Sequence, residues 1–329
     1  MPKLSPFLLK PEFHERPWGA DDLAPIYIKP EGTGLVGEAW LTGDGCRVVG
    51  GGPADGMTLA EATRSFGVEL VGEASPQPQR FPLLIKFLFP REKLSVQVHP
   101  DDEGARRLGQ PCGKTECWYV LAAEAGAQVG LGLKPGTTRA EMERAIAEKR
   151  AEHLLNWIDL DPGDVIYVEA GTVHAIGPGS VLVETQQNSD TTFRLYDYGR
   201  ARELHVQQGL EAMKLSTASG RVVTGDTHGA SRNLVSSSCF VLDKVTLTRN
   251  RPQQEFGRGA GRTSLRVLVA LDGCGVVESE GAAEVAFARG EAVVVPASVD
   301  AFRVRGQWAV DLLCASLPGR EMPPPKTRL

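Results

Sequence analysis

Gln97 and His99 stand two residues apart in SVQVHPDD, residues 95–102, four residues after the apolar run FPLLIKFLFP. In a strand, successive side chains face opposite ways. Val96 and Val98 then point to one side, and the amide and imidazole point together to the other. Two polar groups on an inward face need partners, because an unpaired buried group costs roughly 1–3 kcal/mol. A shared metal ion is one solution. GKTECWYVL places Glu116 and Trp118 on one face of a further strand, with Cys117 and Tyr119 on the opposite face. EAGTVHAIG places His174 just after a tight turn, at the start of a return strand. Gln97, His99, Glu116 and His174 together offer two imidazole nitrogens and two oxygens, a set that suits a borderline divalent ion such as Zn²⁺. A site that expands beyond four ligands also admits water or a substrate oxygen, which makes it catalytic. The competing reading is that each His is an ordinary hydrogen-bonding residue, and spacing alone leaves both open.

Such ligands need a frame of several strands. Short Val/Ile/Leu runs are punctuated by 37 Gly and 22 Pro, the pattern of a β-barrel or sandwich. CWYVLAA, DVIYVEA, SVLVETQQ, TTFRLYDY, FVLDKVTLT, RVLVALDG and EAVVVPAS read as strands. Helical periodicity is confined to MTLAEATRSFGVELVG, ELHVQQGLEAMK and TTRAEMERAIAEKRAEHLLNWI, the last with Thr137 or Thr138 as N-cap. DLDPGDVIYVEAGTVHAI echoes AFARGEAVVVPASVDAFRV, as if one barrel design were used twice. The second copy has Asp300 or Ala301 where the first has His174. A Ser/Thr/Gly-rich stretch between them reads as a linker.

At 42% hydrophobic and 23% charged residues, the 329-residue chain has a globular composition. No apolar run reaches the ~18 residues of a membrane span. The first residues lack the long apolar stretch and cleavage site of a secretory signal, so the expected location is cytoplasmic. A net charge of −5 without a basic tract argues against nucleic-acid binding. The six cysteines are irregularly spaced with no CxxC pair, which points to free thiols. GTGLVG, residues 32–37, matches GxGxxG but lacks the strand before and helix after that a dinucleotide site needs.

The strings QVHPDD, GKTECWYVL, GTVHAIGPG and ETQQNSDTTFRLYDYGR, in this order, resemble the signature segments of type I mannose-6-phosphate isomerases of the short bacterial form. RPWG and GEAW near the start fit as well. The resemblance runs from about residue 10 to the C-terminus and is dense between residues 80 and 205. It implies a mainly β chain built from two cupin-like (jelly-roll) β-barrels with a few helices packed outside. The expected division is a catalytic barrel with helical insertions over residues 1–215, a linker over 216–235 and a metal-free barrel over 236–329. The family's zinc ligands, one ion per chain, fall on Gln97, His99, Glu116 and His174. Two departures stand out. Glu169 replaces a common Pro before the His174 turn, which would leave that turn less rigid. The large helical insertion of the long eukaryotic-type enzymes is absent.

The implied reaction interconverts mannose 6-phosphate and fructose 6-phosphate, with a small-molecule sugar phosphate as the partner. It needs a base at carbon, a polarised carbonyl and a positive environment for the enediolate. By resemblance, Glu184 is the proton-transferring carboxylate and Arg194 stabilises the enediolate, the two returning to one barrel mouth as a hairpin. Lys114 faces the side of Glu116 and could bind sugar oxygens or assist ring opening. Trp18 could pack on the sugar and Ser95 could add a hydroxyl, while Arg16, Lys86, Arg91 and Arg200 are all available for phosphate. The competing functions are a non-catalytic, metal-containing sugar-binding or regulatory cupin, which needs no base, and an iron oxygenase, which would not use Gln97.

Overall fold

Alternate side chains of the strand Glu116–Ala123 enter two different cores. Trp118 and Val120 pack with Leu88, Val129, Leu131 and Ile176, whereas Cys117 and Tyr119 pack with Phe87, Val183, Val267 and Val294. Such a strand must be covered on both faces, and it is the middle of a layered stack. In the computed structural model, which describes residues 3–224, 227–257, 263–319 and 322–329, the chain is mainly β with a few short helices.

The strand belongs to an eight-stranded sheet in the order Glu12–Ala20, Val36–Trp40, Leu83–Leu88, Ser180–Gln187, Glu116–Ala123, Val165–Val168, Gly220–Val222 and Thr327–Arg328. Its Trp118 face is covered by a five-stranded sheet, ordered Phe193–Tyr196, Val96–Val98, His174–Ile176, Gln128–Leu133 and Leu155–Asp159. Its Cys117 face is covered by a second eight-stranded sheet that includes Val241–Leu247, Val310–Ser316, Arg266–Asp272 and Ala292–Val295. That sheet in turn packs on a four-stranded one, Gln253–Phe256, Phe302–Gly306, Cys274–Ser279 and Val285–Ala288. The helices Arg139–Ala147 and Val206–Ala212 close the stack by packing on Val96, Val98 and Leu195.

The internal echo extends to strand pairing. Eight consecutive strands from Leu83–Leu88 to Ser180–Gln187 are paired as are the eight from Val241–Leu247 to Val310–Ser316, always antiparallel. The chain ends cross between these units. Phe7–Leu9 pairs with Ala292–Val295 in the second unit's sheet, and Thr327–Arg328 pairs with Gly220–Val222 in the first unit's sheet. The expected linker, residues 216–235, contains Gly220–Val222 and runs into the strand Ser231–Ser236, and its residues 225–226 lie outside the described residues.

Local signals account for the helices. Thr138 caps Arg139–Ala147, accepting from the Glu141 amide at 3.1 Å. The expected long helix stops there because Lys149 adopts φ 58°. His153 therefore lies in a 3₁₀ turn, Ala151–Leu154, and Trp157 in a strand. Thr58 and Glu61 form a reciprocal capping box on Leu59–Phe66, and Gly67 at φ 45° separates it from Val68–Val71. The GTGLVG run feeds the strand Val36–Trp40, not a helix. Among the described residues no helix is long and apolar enough to cross a membrane.

Candidate active site

Gln97 lies opposite His174 on one side and Arg194 on the other, so three neighbouring strands of the five-stranded sheet bring them abreast. Glu116 reaches the same space from the facing eight-stranded sheet. Val96 and Val98 point away, into the helix-covered core, as alternation requires.

The two histidines are oriented by backbone carbonyls. His99 Nδ1 lies 3.0 Å from the Thr191 carbonyl and His174 Nδ1 lies 2.9 Å from the Thr172 carbonyl. In each ring the Nδ1–H donates, and the Nε2 lone pair is turned towards Glu116. Glu116 Oε2 is 3.6 Å from His99 Nε2, and its Oε1 is 3.5 Å from His174 Nε2. Burial, the largest cause, holds His99 well below the ordinary imidazole range, and Lys114 lowers it further. Burial likewise lowers His174, to about 4. Both rings are thus neutral ligands at ordinary pH. Among the described residues, His99, Glu116 and His174 form the one group of three such side chains able to hold a metal ion, with their ligand atoms within 4.8 Å of one another. The donor set fits a divalent cation: neutral nitrogens with fixed tautomers and a carboxylate, each turned inward. The Lys114 ammonium already reaches into it, 3.0 Å from Glu116 Oε2 and 3.2 Å from His99 Nε2.

Gln97 Nε2 is 3.2 Å from His174 Nε2, and Ser95 Oγ donates to Gln97 Oε1 at 3.1 Å. Lys114 also stands 3.4 Å from Glu184 Oε1, and Lys86 stands 3.6 Å from the same oxygen. Burial pushes the Glu184 carboxyl up to about 6, with Glu116 adding to the rise and Lys86 and Lys114 opposing it. Burial works against the Lys114 ammonium, but Glu116 and Glu184 outweigh it and raise its affinity for the proton.

A cavity of about 470 Å³ opens on these groups. Trp18, Ser95, Lys114, Glu184 and Arg194, all singled out in the sequence, line it, as do Gln97 and Glu116. Arg194 is half-buried, and its Nη1 donates to the Glu203 carbonyl at 2.7 Å. Burial, and Arg202 next to it, lower its proton affinity. The expected hairpin between Glu184 and Arg194 is absent. Ser180–Gln187 pairs with Leu83–Leu88 and Glu116–Ala123, whereas Phe193–Tyr196 pairs with Val96–Val98, so the chain changes sheets between them. The two side chains still meet at one cavity because the two sheets face each other.

Of the basic residues available for phosphate, Arg16 and Lys86 line this cavity. Arg91 lines a different one, and Arg200 is held by Asp197 at 3.0 Å. Sequence reasoning missed Glu38 and Arg202 as cavity residues. Glu38 lies within the GEAW string, so a signal was present without a role. The turn before His174 is tied down rather than loosened by Glu169. Its carboxylate accepts from the Ala218 amide at 2.7 Å, and its carbonyl accepts from Thr172 Oγ1 at 2.6 Å.

No protein-family model matches the chain. It is 41% identical over 221 residues to mannose-6-phosphate isomerase ManA of Bacillus subtilis, covering 64% of this chain and 68% of that protein. It is 32% identical over 317 residues to the mannose-6-phosphate isomerase of Streptococcus mutans, covering 93% of this chain and 96% of that protein. The crystal structure of the mannose 6-phosphate isomerase from Bacillus subtilis superposes with a TM-score of 0.83 at 29% identity, covering 95% of this chain and all of that one. The 32% identity over nearly the whole of both chains, with the close structural match, means that the chain belongs to the type I mannose-6-phosphate isomerase family.

Proposed function

We propose that this chain is a zinc-dependent aldose–ketose isomerase that interconverts mannose 6-phosphate and fructose 6-phosphate through an enediolate. The observation that carries the reading is Glu184: a buried carboxylate, flanked by two lysines, in a cavity that also exposes Glu116 and Gln97. Binding alone would not call for such a group.

His99, Glu116 and His174 would hold the ion, with Gln97 as fourth ligand. A half-turn of the Gln97 amide exchanges its ends, presenting oxygen to the cluster and N–H to Ser95 Oγ. When bound, the ion would supply Lewis-acid polarisation of the sugar's carbonyl. A cation at those donors would also displace the Lys114 ammonium towards Glu184 and the sugar. Glu184 removes the proton from C2 of the open-chain aldose and returns it at C1. Lys114 carries the matching proton between O2 and O1. Arg194 faces the negative charge that grows on those oxygens, Trp18 supplies an apolar wall, and Ser95 acts through Gln97.

The paired strand units support a pair of cupin-like barrels, with residues 1–215 and 236–329 as their main parts and the crossed termini as exceptions. The second barrel would be metal-free. Phe302, rather than the expected Asp300 or Ala301, holds the register position of His174, with Phe256 and Arg266 at those of Gln97 and Glu116; they form a stack with Phe ring centroids 4.7 Å apart and Arg266 5.7 Å from each. A cytoplasmic location is part of this reading and is supported by six free thiols.

The test is fructose 6-phosphate formation from mannose 6-phosphate, with and without a chelator, and identification of the bound metal. Full activity in verified metal-free protein would overturn the zinc reading, and no isomerisation by the metal-loaded protein would overturn the function.

A further inference from the structure

The strings RPWG and GEAW carry Arg16, Glu38 and Trp40. They converge on one buried charge network. Glu38 accepts from Arg16 at 3.0 Å and 3.3 Å and from Trp40 Nε1 at 2.6 Å. Its Oε2 is also 3.9 Å from Lys86 Nζ, and Lys86 lies over the Trp40 ring at 5.5 Å. The far side of the same ammonium faces Glu184 at 3.6 Å. Lys86 is 3% exposed, on a strand whose other residues are apolar. The strand register explains the alignment: Lys86 lies opposite Trp40 on one neighbour and opposite Glu184 on the other.

We infer that Lys86, shared between Glu38 and Glu184, is a positioning residue that keeps Glu184 a carboxylate and fixes it towards the substrate cavity. A buried ammonium with no anchor would turn to whichever carboxylate is nearest and pin it in a close ion pair. Here the ammonium stands between the two, 3.6 Å from Glu184 and 3.9 Å from Glu38, which is itself clamped by Arg16 and Trp40. The charge remains close enough to favour the ionised form. Lys114 is the second cation at the same oxygen, and Glu116 lies behind it. Glu38 and Arg16 come from the two strands beyond Lys86, and Asp190, Arg194 and Arg202 line the rest of the cavity. Lys114 also serves Glu116 and His99, so Lys86 is the cation whose partners on the active-site side are confined to Glu184. This inference rests on the proposed role of Glu184 as the base.

The experiment is the pH profile of kcat/KM for the zinc-loaded parent, Lys86→Met, Lys86→Arg and Glu38→Gln, each with metal content and thermal melting. Removing a cation at this range should move the acid limb of Lys86→Met upward by about one pH unit or more. Lys86→Arg should restore the limb even where kcat is only partly recovered. Glu38→Gln should move it downward, because the ammonium then serves Glu184 alone. Opposite shifts from two changes in one network are not produced by general loss of structure. Unshifted limbs in both Lys86→Met and Glu38→Gln would overturn the inference while leaving the isomerase reading intact. If Lys86→Met does not fold, an unmoved limb in Glu38→Gln is sufficient to overturn it. An inactive zinc-loaded parent would instead remove the function reading itself.

Discussion

Glu184 and Arg194, ten positions apart in the chain, reach one cavity from two facing sheets. Carboxylate and guanidinium are therefore held by independent strands, and loss of one leaves the other in place. Arg194→Ala should lower kcat by roughly 10²–10³, as for removal of a charge-stabilising donor. Metal content and melting should stay near those of the parent, because Arg194 is half-buried and its guanidinium donates to a loop carbonyl. Lys at this position should recover part of the rate, since a point charge does not reproduce a planar fork. Steady-state kinetics beside metal analysis decides it: an Ala variant that keeps most of its kcat makes Arg194 structural.

His99→Ala and His174→Ala should lose metal and activity together. Each removes an inward Nε2 whose tautomer is set by a carbonyl, so no neighbouring group can substitute. Replacing Thr191 should not abolish binding, because its contribution is a main-chain carbonyl. Metal analysis of the purified variants is the readout, and a full complement of zinc in either His variant would contradict the ligand assignment.

The second strand unit should bind no metal, and its Phe256–Phe302–Arg266 stack should act in stability. Phe302 is buried, so Phe302→Ala should cost about 3–5 kcal/mol. Denaturant unfolding measures this directly. A second tightly held ion that survives loss of His99 would overturn the assignment.

Glu38 makes a pH prediction. Burial opposes its charge, but Lys86, Arg16 and Trp40 outweigh burial and hold its carboxyl at about 2, below the ordinary 4.5. The folded form thus binds fewer protons than the unfolded form between these values. The stability Glu38 contributes is complete above pH 4.5 and is lost as pH falls towards 2. Glu38→Gln should flatten that part of the stability profile, which melting in a pH series will show.

The parts of the site legible in sequence are those set by local alternation. Gln97 and His99 on one face, Glu116 with Trp118, and the turn before His174 follow from a period of two and a glycine turn. The strand SVLVETQQ is found with its expected limits at Ser180–Gln187. What was not legible depends on partners distant in sequence. Glu184 and Arg194 looked like a hairpin because their spacing allows one, but which sheet a strand joins is decided by its long-range neighbours. Lys86 sits in an apolar string, and its role emerges only when Glu38 and Glu184 flank it. The helix over residues 137–158 was overextended because helical periodicity continues past Ala147, while Leu154 and Leu155 are drawn into the core.

The exchanged chain ends bear on how this protein is made. Phe7–Leu9 leaves the ribosome long before its partner Ala292–Val295. The sheet that carries Glu116 and Glu184 takes its edge strand, Thr327–Arg328, from beyond the second strand unit. The first half cannot complete its sheet until the second has been made, and contacts of such long sequence separation form slowly. The nascent first half therefore spends most of translation with open sheet edges, the period when a chaperone would matter most. A chain cut within the segment joining the two halves after folding should stay together as one particle, each half still fastened by a strand of the other.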